Sequence, residues 1–270
     1  MTVQGSTPLE RTLADACFEL AAGADIGADA RGFVAKRGVA RDDADAIASA
    51  PPRLAVYRSL VQNGLKTVVG KVLARTRARL NASRSGRFDA DFARFLQAVG
   101  PRTHYLRDVP DELLAWALPQ WRADPAVPEY VTDLAIHEST EFTLGSAPDD
   151  APGASSPVAI DRPLRFARAA RLVRHAWRVH ELSEDPSATD LPAIGPVALM
   201  AYRNLEQGAS WLELTPLAAS IVDALMAERA LGDALEQACA AHHTTASAVA
   251  MDAARLLADL SERGIVLGAR

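Results

Sequence analysis

The stretch RLAVYRSLVQNGLKTVVGKVLARTRARL, residues 53–80, has the longest unbroken helical period in the chain. Its apolar residues recur in steps of three and four, a spacing that places them on one face of a helix packed against a core. They are Leu54, Tyr57, Val61, Leu65, Val68 and Val72. Gly64 and Gly70 weaken a helix relative to alanine, so they indicate a bend or a close crossing. We therefore predict one long helix at the centre of an all-α domain.

The remaining surface of this helix is basic. No acidic residue occurs between Arg53 and Arg87. We call the side chains concerned the basic ridge: Arg53, Arg58, Lys66, Lys71, Arg75, Arg77 and Arg79. Two interpretations stay open, a face exposed to solvent and a contact surface for an acidic protein or a nucleic acid.

Composition places the chain among soluble globular proteins. Of its 270 residues, 49% are hydrophobic and 23% are charged, which is enough apolar content for two cores. No apolar run approaches the ~20 residues of a membrane span, and the N-terminus lacks the basic and then apolar pattern of a signal segment. We expect a cytoplasmic protein without membrane contact, in which Cys17 and Cys239 are reduced and buried.

Two domains joined by a linker are predicted. An all-α domain covers residues 1–145, and residues 146–157 form a linker rich in Gly, Ala, Ser, Pro and Asp. Besides the long helix, the first domain is expected to have helices at 8–22, 29–37, 41–50, 89–99, 109–121 and 129–144. The second domain covers residues 158–270, where strand patterns begin.

The second domain is predicted to mix a few strands with short helices. Strands are expected at 158–161, 197–205, 210–214 and 265–267, and helices at 217–228, 231–241 and 245–263. Thr215 and Pro216 form an N-cap followed by proline at the first helical position. Residues 171–182 fit either a strand or a helix. A hairpin, three helices and a closing strand are typical of a winged-helix-like domain, so the fold class is mainly α with a smaller α+β part.

The sequence gives no positive sign of catalysis. From residue 197 to the end there are five basic and nine acidic residues, a balance that repels phosphate, so nucleic-acid binding through this domain is not expected. The histidines do not combine with Cys, Asp or Glu at a recognisable ligand spacing. His175 and His180, five residues apart, point in different directions on a strand or a helix. A hydrolase using His137 and Glu138 is a weaker alternative.

Two segments resemble the paired signatures of a known family. RLAVYRSLVQNGL, from Arg53, and VPEYVTDLAIHE, from Val127, are similar to an Arg-Leu-x-x-Tyr-Arg helix and a Pro-Tyr-x-x-Asp-Leu-Ala-x-x-Glu helix of the HvfC/BufC-type proteins. The second half is similar to their C-terminal domain and to the leader-recognition elements of peptide-modifying systems. The MbnC-like partner proteins of methanobactin-type pathways are similar in kind.

The resemblance implies a noncatalytic subunit. It would pair with a multinuclear non-heme iron oxygenase and present the leader of a ribosomally made precursor peptide, while the partner oxidises precursor cysteines and this chain needs no cofactor and no metal. The expected partner interface consists of Arg53, Tyr57, Arg58, Tyr130, Asp133 and Glu138. It stays open that Asp133 or Glu138 instead pairs with an arginine to hold the α domain together. The rival function is a nucleic-acid-binding regulator that uses residues 53–87.

The leader is expected to bind as a strand added to the hairpin. If residues 210–214 form the sheet margin, their backbone donors and acceptors are open to a guest strand. Alternation places Leu212 and Leu214 on one face, in a core role, and Trp211 and Glu213 on the other. The leader-binding residues expected on this basis are Ser210, Trp211, Leu212, Glu213 and Leu214 with Val249, Ala253 and Leu256 of the last helix.

Overall fold

The computed structural model describes residues 7–19, 22–103, 105–150 and 157–270. Within them the chain is mainly helical with a small β part, as predicted. Its internal contacts divide it into two compact units, Met1–Val127 and Pro128–Arg270. No helix among the described residues is long and apolar enough to cross a membrane.

The first unit consists of helices in the described part of the chain. These are α1 Pro8–Phe18, α2 Ala22–Ala35, α3 Arg41–Ala48, α4 Pro51–Val72, α5 Ala74–Ser83, α6 Arg87–Ala98 and α7 Val109–Ala123. A short 3₁₀ helix, Leu106–Asp108, precedes α7. Helix α1 begins with a capping box, in which the Thr7 hydroxyl accepts from the Glu10 N–H and the Glu10 carboxylate accepts from the Thr7 N–H.

The long helix predicted over residues 53–80 is divided in two. Leu73, between α4 and α5, has φ −105° and ψ 44°, outside the helical region, and its side chain is fully buried. Beyond the break, Arg77 crosses Gly70 so closely that a Cβ at Gly70 would lie 3.1 Å from the Arg77 Nη1 atom. A bend, one of the two features indicated for Gly70 by the sequence, thus lies three residues beyond it, at Leu73.

The N-terminal helices also differ from their predicted bounds. Gly23 was expected to end the first helix, but it lies in the first turn of α2. At the predicted start, Asp29, the backbone leaves the helical region, with φ −154° and ψ 83°, and Asp29 Oδ1 accepts from the Gly32 N–H at 2.8 Å, so a second helical segment of α2 begins there as predicted. Around the kink, Ile26 and Phe33 face a core that α1, α2, α3 and the start of α4 share. The helical segments before and after Asp29 therefore each bury an apolar side chain in this core.

The second unit begins with a helix and continues with strands and three more helices. Its elements are α8 Tyr130–Ser146, β1 Leu164–Phe166, β2 Ala170–Trp177, β3 Ile194–Arg203, β4 Ala209–Leu214, α9 Pro216–Met226, α10 Leu231–Ala241, α11 Ala246–Glu262 and β5 Val266–Ala269. Helix α8 was predicted to belong to the first domain, and it packs mainly against β2, β3 and β4. Part of the predicted linker, residues 151–156, lies outside the described residues.

The strands form two antiparallel sheets. The larger has the order β2-β3-β4, and the smaller pairs β1 with β5. Residues 171–182, which fitted either a strand or a helix, form most of β2 followed by a 3₁₀ helix, Val179–Glu181. The strand predicted at 158–161 is wrong, because Val158 and Ile160 are exposed in irregular backbone and a turn. Among the described residues, no strand pairs with residues 158–161.

The larger sheet is covered on both faces. Leu212 and Leu214 pack into a core shared with α9, α10 and α11, while Ala209 and Trp211 face a second cluster that contains Leu144 of α8. This distribution confirms the predicted alternation along β4. The predicted N-cap is also confirmed, since the Thr215 hydroxyl accepts from the Ala218 N–H at 3.3 Å.

Candidate functional site

Strand β4 is an open edge of the larger sheet. Its hairpin with β3 closes where the Asn204 N–H donates to the Gly208 carbonyl at 2.9 Å. The Asn204 side-chain oxygen accepts from the Glu206 and Gly208 N–H groups, and Gln207 adopts φ 65°. These local bonds fix the hairpin register, in which Met200 lies opposite Leu212.

The register determines which backbone groups of β4 point outward. Hydrogen-bonded pairs alternate along an antiparallel ladder, so Ser210, Leu212 and Leu214 bond to β3. The residues between them turn their N–H and C=O groups away from β3: Ala209, Trp211 and Glu213. No hydrogen bond from the described part of the chain reaches these outward groups. This edge offers a row of donors and acceptors that an extended peptide can pair with.

The opposite edge, on β2, is occupied at one end by an arginine. The backbone N–H of Arg203, on β3, donates to the Ala169 carbonyl at 3.0 Å. With this register, the backbone groups that point away from β3 belong to Ala170, Leu172, Arg174 and Ala176. The Arg171 Nη1 atom donates to the Ala170 carbonyl at 2.8 Å and to the Arg168 carbonyl at 2.9 Å. A guanidinium therefore covers the acceptors at this end.

The other end of the β2 edge is occupied by a carboxylate. Asp133 Oδ2, on α8, accepts from the Ala176 N–H at 2.8 Å and from the Trp177 N–H at 3.1 Å. These are the donors that a strand added beside β2 would need. Asp133 was predicted to contact a partner protein or an arginine of the α domain, and the structure shows its Oδ2 atom at the end of β2.

The outer face of β4 carries a cluster of charges. Arg178 binds both oxygens of Glu213, at 3.1 Å and 2.7 Å, and its Nε donates to Glu181 at 2.8 Å. Hydrogen bonds from Arg178 lower the pKa of Glu213 below its usual value. Since Glu213 and Glu181 are both exposed, the ion pairs contribute little to stability, but they hold the Glu213 side chain against Arg178.

A group of histidines lies between α8 and the sheet. His137 stacks on Trp211 with ring centroids 3.9 Å apart, and its ring lies 5.7 Å from that of His175. Among the described residues, no hydrogen bond reaches Nδ1 of His137, either ring nitrogen of His175, or Nδ1 of His180. Burial lowers the pKa of His175 to about 4, assisted by His137 and His180.

The arrangement around His137 does not resemble a hydrolase site. The His137 residue is only 2% exposed, and its Nε2 lies 3.4 Å from the Glu141 carboxylate, one helical turn away. Glu138 is also buried. Within the described residues, no group of three or more His, Cys, Asp or Glu side chains is placed to hold a metal ion.

The residues expected at a partner interface are divided between exposed and buried positions. Tyr57 is 44% exposed, beside Val56 at 55% and Leu60 at 66%, so α4 presents an apolar face to solvent. Arg58 instead donates to the carbonyls of Ala16 and Glu19, at 2.6 Å and 3.2 Å. Arg53 is exposed, whereas Tyr130 and Glu138 are buried.

The basic ridge is not one exposed face. Arg75 and Arg79 are buried, at 8% and 9% exposure. Lys66 forms an ion pair with Asp89 at 2.8 Å, and Arg77 approaches the same carboxylate at 3.8 Å. The absence of acidic residues from 53 to 87 was misleading, because α6 supplies Asp89 from just beyond that range.

The last helix is not a principal neighbour of β4. Helix α11 packs mainly on α10 and β5, while β4 packs on β3, α8 and α9. Leu256 and Leu212 do meet the same core, and Ala253 is buried. Val249 is half-buried and belongs to neither core cluster of this unit. The structure thus brings together the predicted β4 residues but not all of the predicted α11 residues.

Comparison with known proteins identifies the segment that contains the larger sheet. Residues 167–261, about a third of the chain, match the family of the HvfC C-terminal domain. The matched segment runs from just before β2 to the end of α11 and includes both sheet edges. The chain matches no curated protein. The HvfC part of the resemblance is therefore supported by an independent comparison.

Proposed function

We propose that the protein is a noncatalytic partner subunit in peptide modification, a function that the match of residues 167–261 to the HvfC C-terminal domain supports. It binds the leader of a ribosomally made precursor peptide as a strand added to β4. It then presents the precursor to a multinuclear non-heme iron oxygenase, which carries out the oxidation at precursor cysteines. The residues of this chain bind and orient the peptide, and the metal chemistry belongs to the partner.

The observation that carries this proposal is the open edge of β4. Ala209, Trp211 and Glu213 turn backbone donors and acceptors outward, and strand addition uses such groups for affinity while flanking side chains set the register. A guest residue opposite Leu212 would lie on the apolar side of the sheet, near α9. A guest residue opposite Trp211 would lie on the side of the sheet that carries the Glu141 and Arg178 side chains.

The winged-helix-like assignment forms part of this proposal. The hairpin, α9, α10 and α11 follow one another as such a domain requires, although β5 pairs with β1 rather than with the hairpin. Helices α9 and α10 pack against each other, and Ser220 of α9 hydrogen bonds to His242 at the end of α10, with 2.8 Å between Oγ and Nε2.

We expect Glu213→Pro to weaken leader binding about tenfold or more. Proline removes the outward N–H of residue 213 without removing a bond to β3, and it is tolerated on an edge strand whose N–H faces outward. The loss corresponds to one or two hydrogen bonds of the added strand. The measurement is a fluorescence titration of a synthetic peptide with the N-terminal sequence of a short cysteine-containing precursor of the proposed kind.

Glu213→Ala is the matched control, because it removes the same contact with Arg178 and keeps the N–H. It should change leader affinity much less than proline does. Ala209→Pro tests a second outward N–H without altering a charge and should act like Glu213→Pro. Circular dichroism shows whether each variant is folded. Unchanged affinity in both folded proline variants would place the leader away from β4.

The exposed apolar face of α4 is where we propose that the oxygenase subunit packs. Apolar side chains that are half exposed on one helix face are typical of a protein contact. Leu60→Glu should therefore weaken association with the proposed oxygenase subunit about tenfold. Ser59→Glu adds the same charge to an exposed neighbouring position and should have little effect in the same pull-down. Equal behaviour of the two variants would contradict this assignment.

A further inference from the structure

The two edges of the larger sheet differ in whether side chains bond to their outward backbone groups. On β4 the outward backbone groups are open, whereas both ends of β2 are occupied by side chains of opposite charge. Arg171 covers carbonyl acceptors, and Asp133 covers N–H donors. Between these two ends only Leu172 and Arg174 present outward groups. Each charge thus matches the polarity of the backbone atoms that it meets.

We propose that Asp133 and Arg171 are positioning residues that close the β2 edge and so confine strand addition to β4. Their effect is that the sheet accepts one guest strand per chain, at one edge. That the guest is a leader peptide rests on the proposed function. The closure of β2 does not, because it concerns any extended chain that could pair with this edge, including a second copy of the protein.

Closure of the β2 edge would prevent edge-to-edge pairing between copies of the protein. If both β2 and β4 were open, β2 of one copy could pair with β4 of another. Such a contact joins different surfaces and does not close on itself, so it favours open-ended assembly. Proteins commonly blunt exposed strand edges with charged side chains for this reason. Since Asp133 lies on α8, this helix also decides whether the β2 edge is closed.

The test is self-association of the full chain, measured by sedimentation velocity over a series of protein concentrations. Asp133→Ala exposes the Ala176 and Trp177 donors, and we expect the self-association constant to rise about tenfold or more. Asp133→Asn retains an amide oxygen that accepts from both N–H groups, so it should sediment like the parent protein. Arg171→Ala, at an exposed position, should change association in the same direction as Asp133→Ala.

A proline distinguishes edge pairing from a general loss of structure. In the double variant Asp133→Ala with Ala176→Pro, the exposed N–H of residue 176 no longer exists, so sedimentation should return to that of the parent. Amide hydrogen exchange adds a second readout. In the monomeric Asp133→Ala protein, the Ala176 and Trp177 amides should exchange about tenfold faster or more than in the parent.

Two results would overturn the proposal. One is that Asp133→Ala and Arg171→Ala, both folded by circular dichroism, sediment like the parent at every concentration. The other is association of Asp133→Ala that the added proline does not reduce. Neither measurement uses a leader peptide, so a failure here leaves the β4 proposal standing, and a failure of the Glu213→Pro titration leaves the closure of β2 standing.

Discussion

Replacing Asp91 with alanine should lower the free energy of unfolding of the first unit by about 3–5 kcal/mol, the range found when one partner of a buried ion pair is removed. Asp91 is 2% exposed. Its Oδ2 atom accepts from Arg87 Nε and from Trp121 Nε1, both at 2.8 Å, and its Oδ1 atom accepts from Arg94. The carboxylate therefore joins α6 to α7 through the buried Trp121 N–H and also pairs with the buried Arg87 of its own helix.

The loss of stability arises because the substitution leaves buried donors without the Asp91 carboxylate. Arg87 has an 8% exposed side chain and would keep only Asp124, at 2.8 Å, as a carboxylate partner. The Trp121 N–H would have no acceptor in place of Asp91. Burial raises the pKa of Asp91, but hydrogen bonds from Arg87, Arg94 and Trp121 outweigh it and lower the pKa. The contribution is thus fully present at neutral pH and is lost only as the pH falls below the usual carboxyl range.

Urea unfolding of the full chain, with amide exchange of α6 and α7 as a local probe, measures this effect. Arg94→Ala is the control, because that side chain is 55% exposed and its removal should cost under about 1 kcal/mol. Asp91→Asn keeps an acceptor and should fall between the two. If Asp91→Ala cost no more than Arg94→Ala, the buried pair would not stabilise the unit as described.

The sequence predicted the ends of those helices and strands that are fixed by capping or turn residues. Thr215 and Pro216 specify the start of α9, and the strand period with its turn residues specified the hairpin. At the break itself, leucine and alanine are good helix formers, so the local signal is confined to Gly70, three residues before Leu73. Burial of the Leu73 side chain in the core of the unit determines where the helix breaks. The kink at Asp29 does have a local signal, because its carboxylate accepts from the Gly32 N–H as an N-cap does.

The candidate site divides in the same way. Alternation along residues 210–214 was enough to predict which side chains of β4 face the core. The occupant of the β2 edge was not predictable, because Asp133 precedes Ala176 by 43 residues and neither position carries a motif for this contact. The histidine cluster was missed for the same reason. His137 and His175 lie on different elements, and spacing along the sequence does not show that two elements bring their side chains together.

The second large effect expected is on acid stability. His175 is 3% exposed, and its pKa of about 4 lies below the usual value of 6.5 because burial and two neighbouring histidines disfavour its charged form. A histidine with a lowered pKa stabilises the fold above its unfolded-state pKa. As the pH falls from about 6.5 to 4, the unfolded chain takes up a proton that the folded chain excludes, and about 3 kcal/mol of stability is lost.

The groups that surround His175 support this direction. Helix α8 contributes His137, with ring centroids 5.7 Å apart, and Asp133, whose Oδ1 lies 3.9 Å from Nδ1 of His175. The 3₁₀ helix after β2 contributes His180, and Glu213 of β4 lies 3.7 Å from that ring. The pKa of His180 is also lowered, first by burial and then by Arg178. The nearest carboxylate to His175 is not hydrogen bonded to it, so burial dominates.

His175→Phe should flatten the pH dependence between 6.5 and 4 and should cost little at pH 7. Phenylalanine keeps an aromatic ring against His137 and removes two buried nitrogens that have no hydrogen bond from the described residues. Urea unfolding of parent and variant at a series of pH values gives the comparison. His243→Asn replaces an exposed histidine with φ 53° by a residue that tolerates this backbone, and it should leave the acid slope as in the parent. Parallel stability curves for the parent and His175→Phe would show that protonation of His175 does not oppose folding.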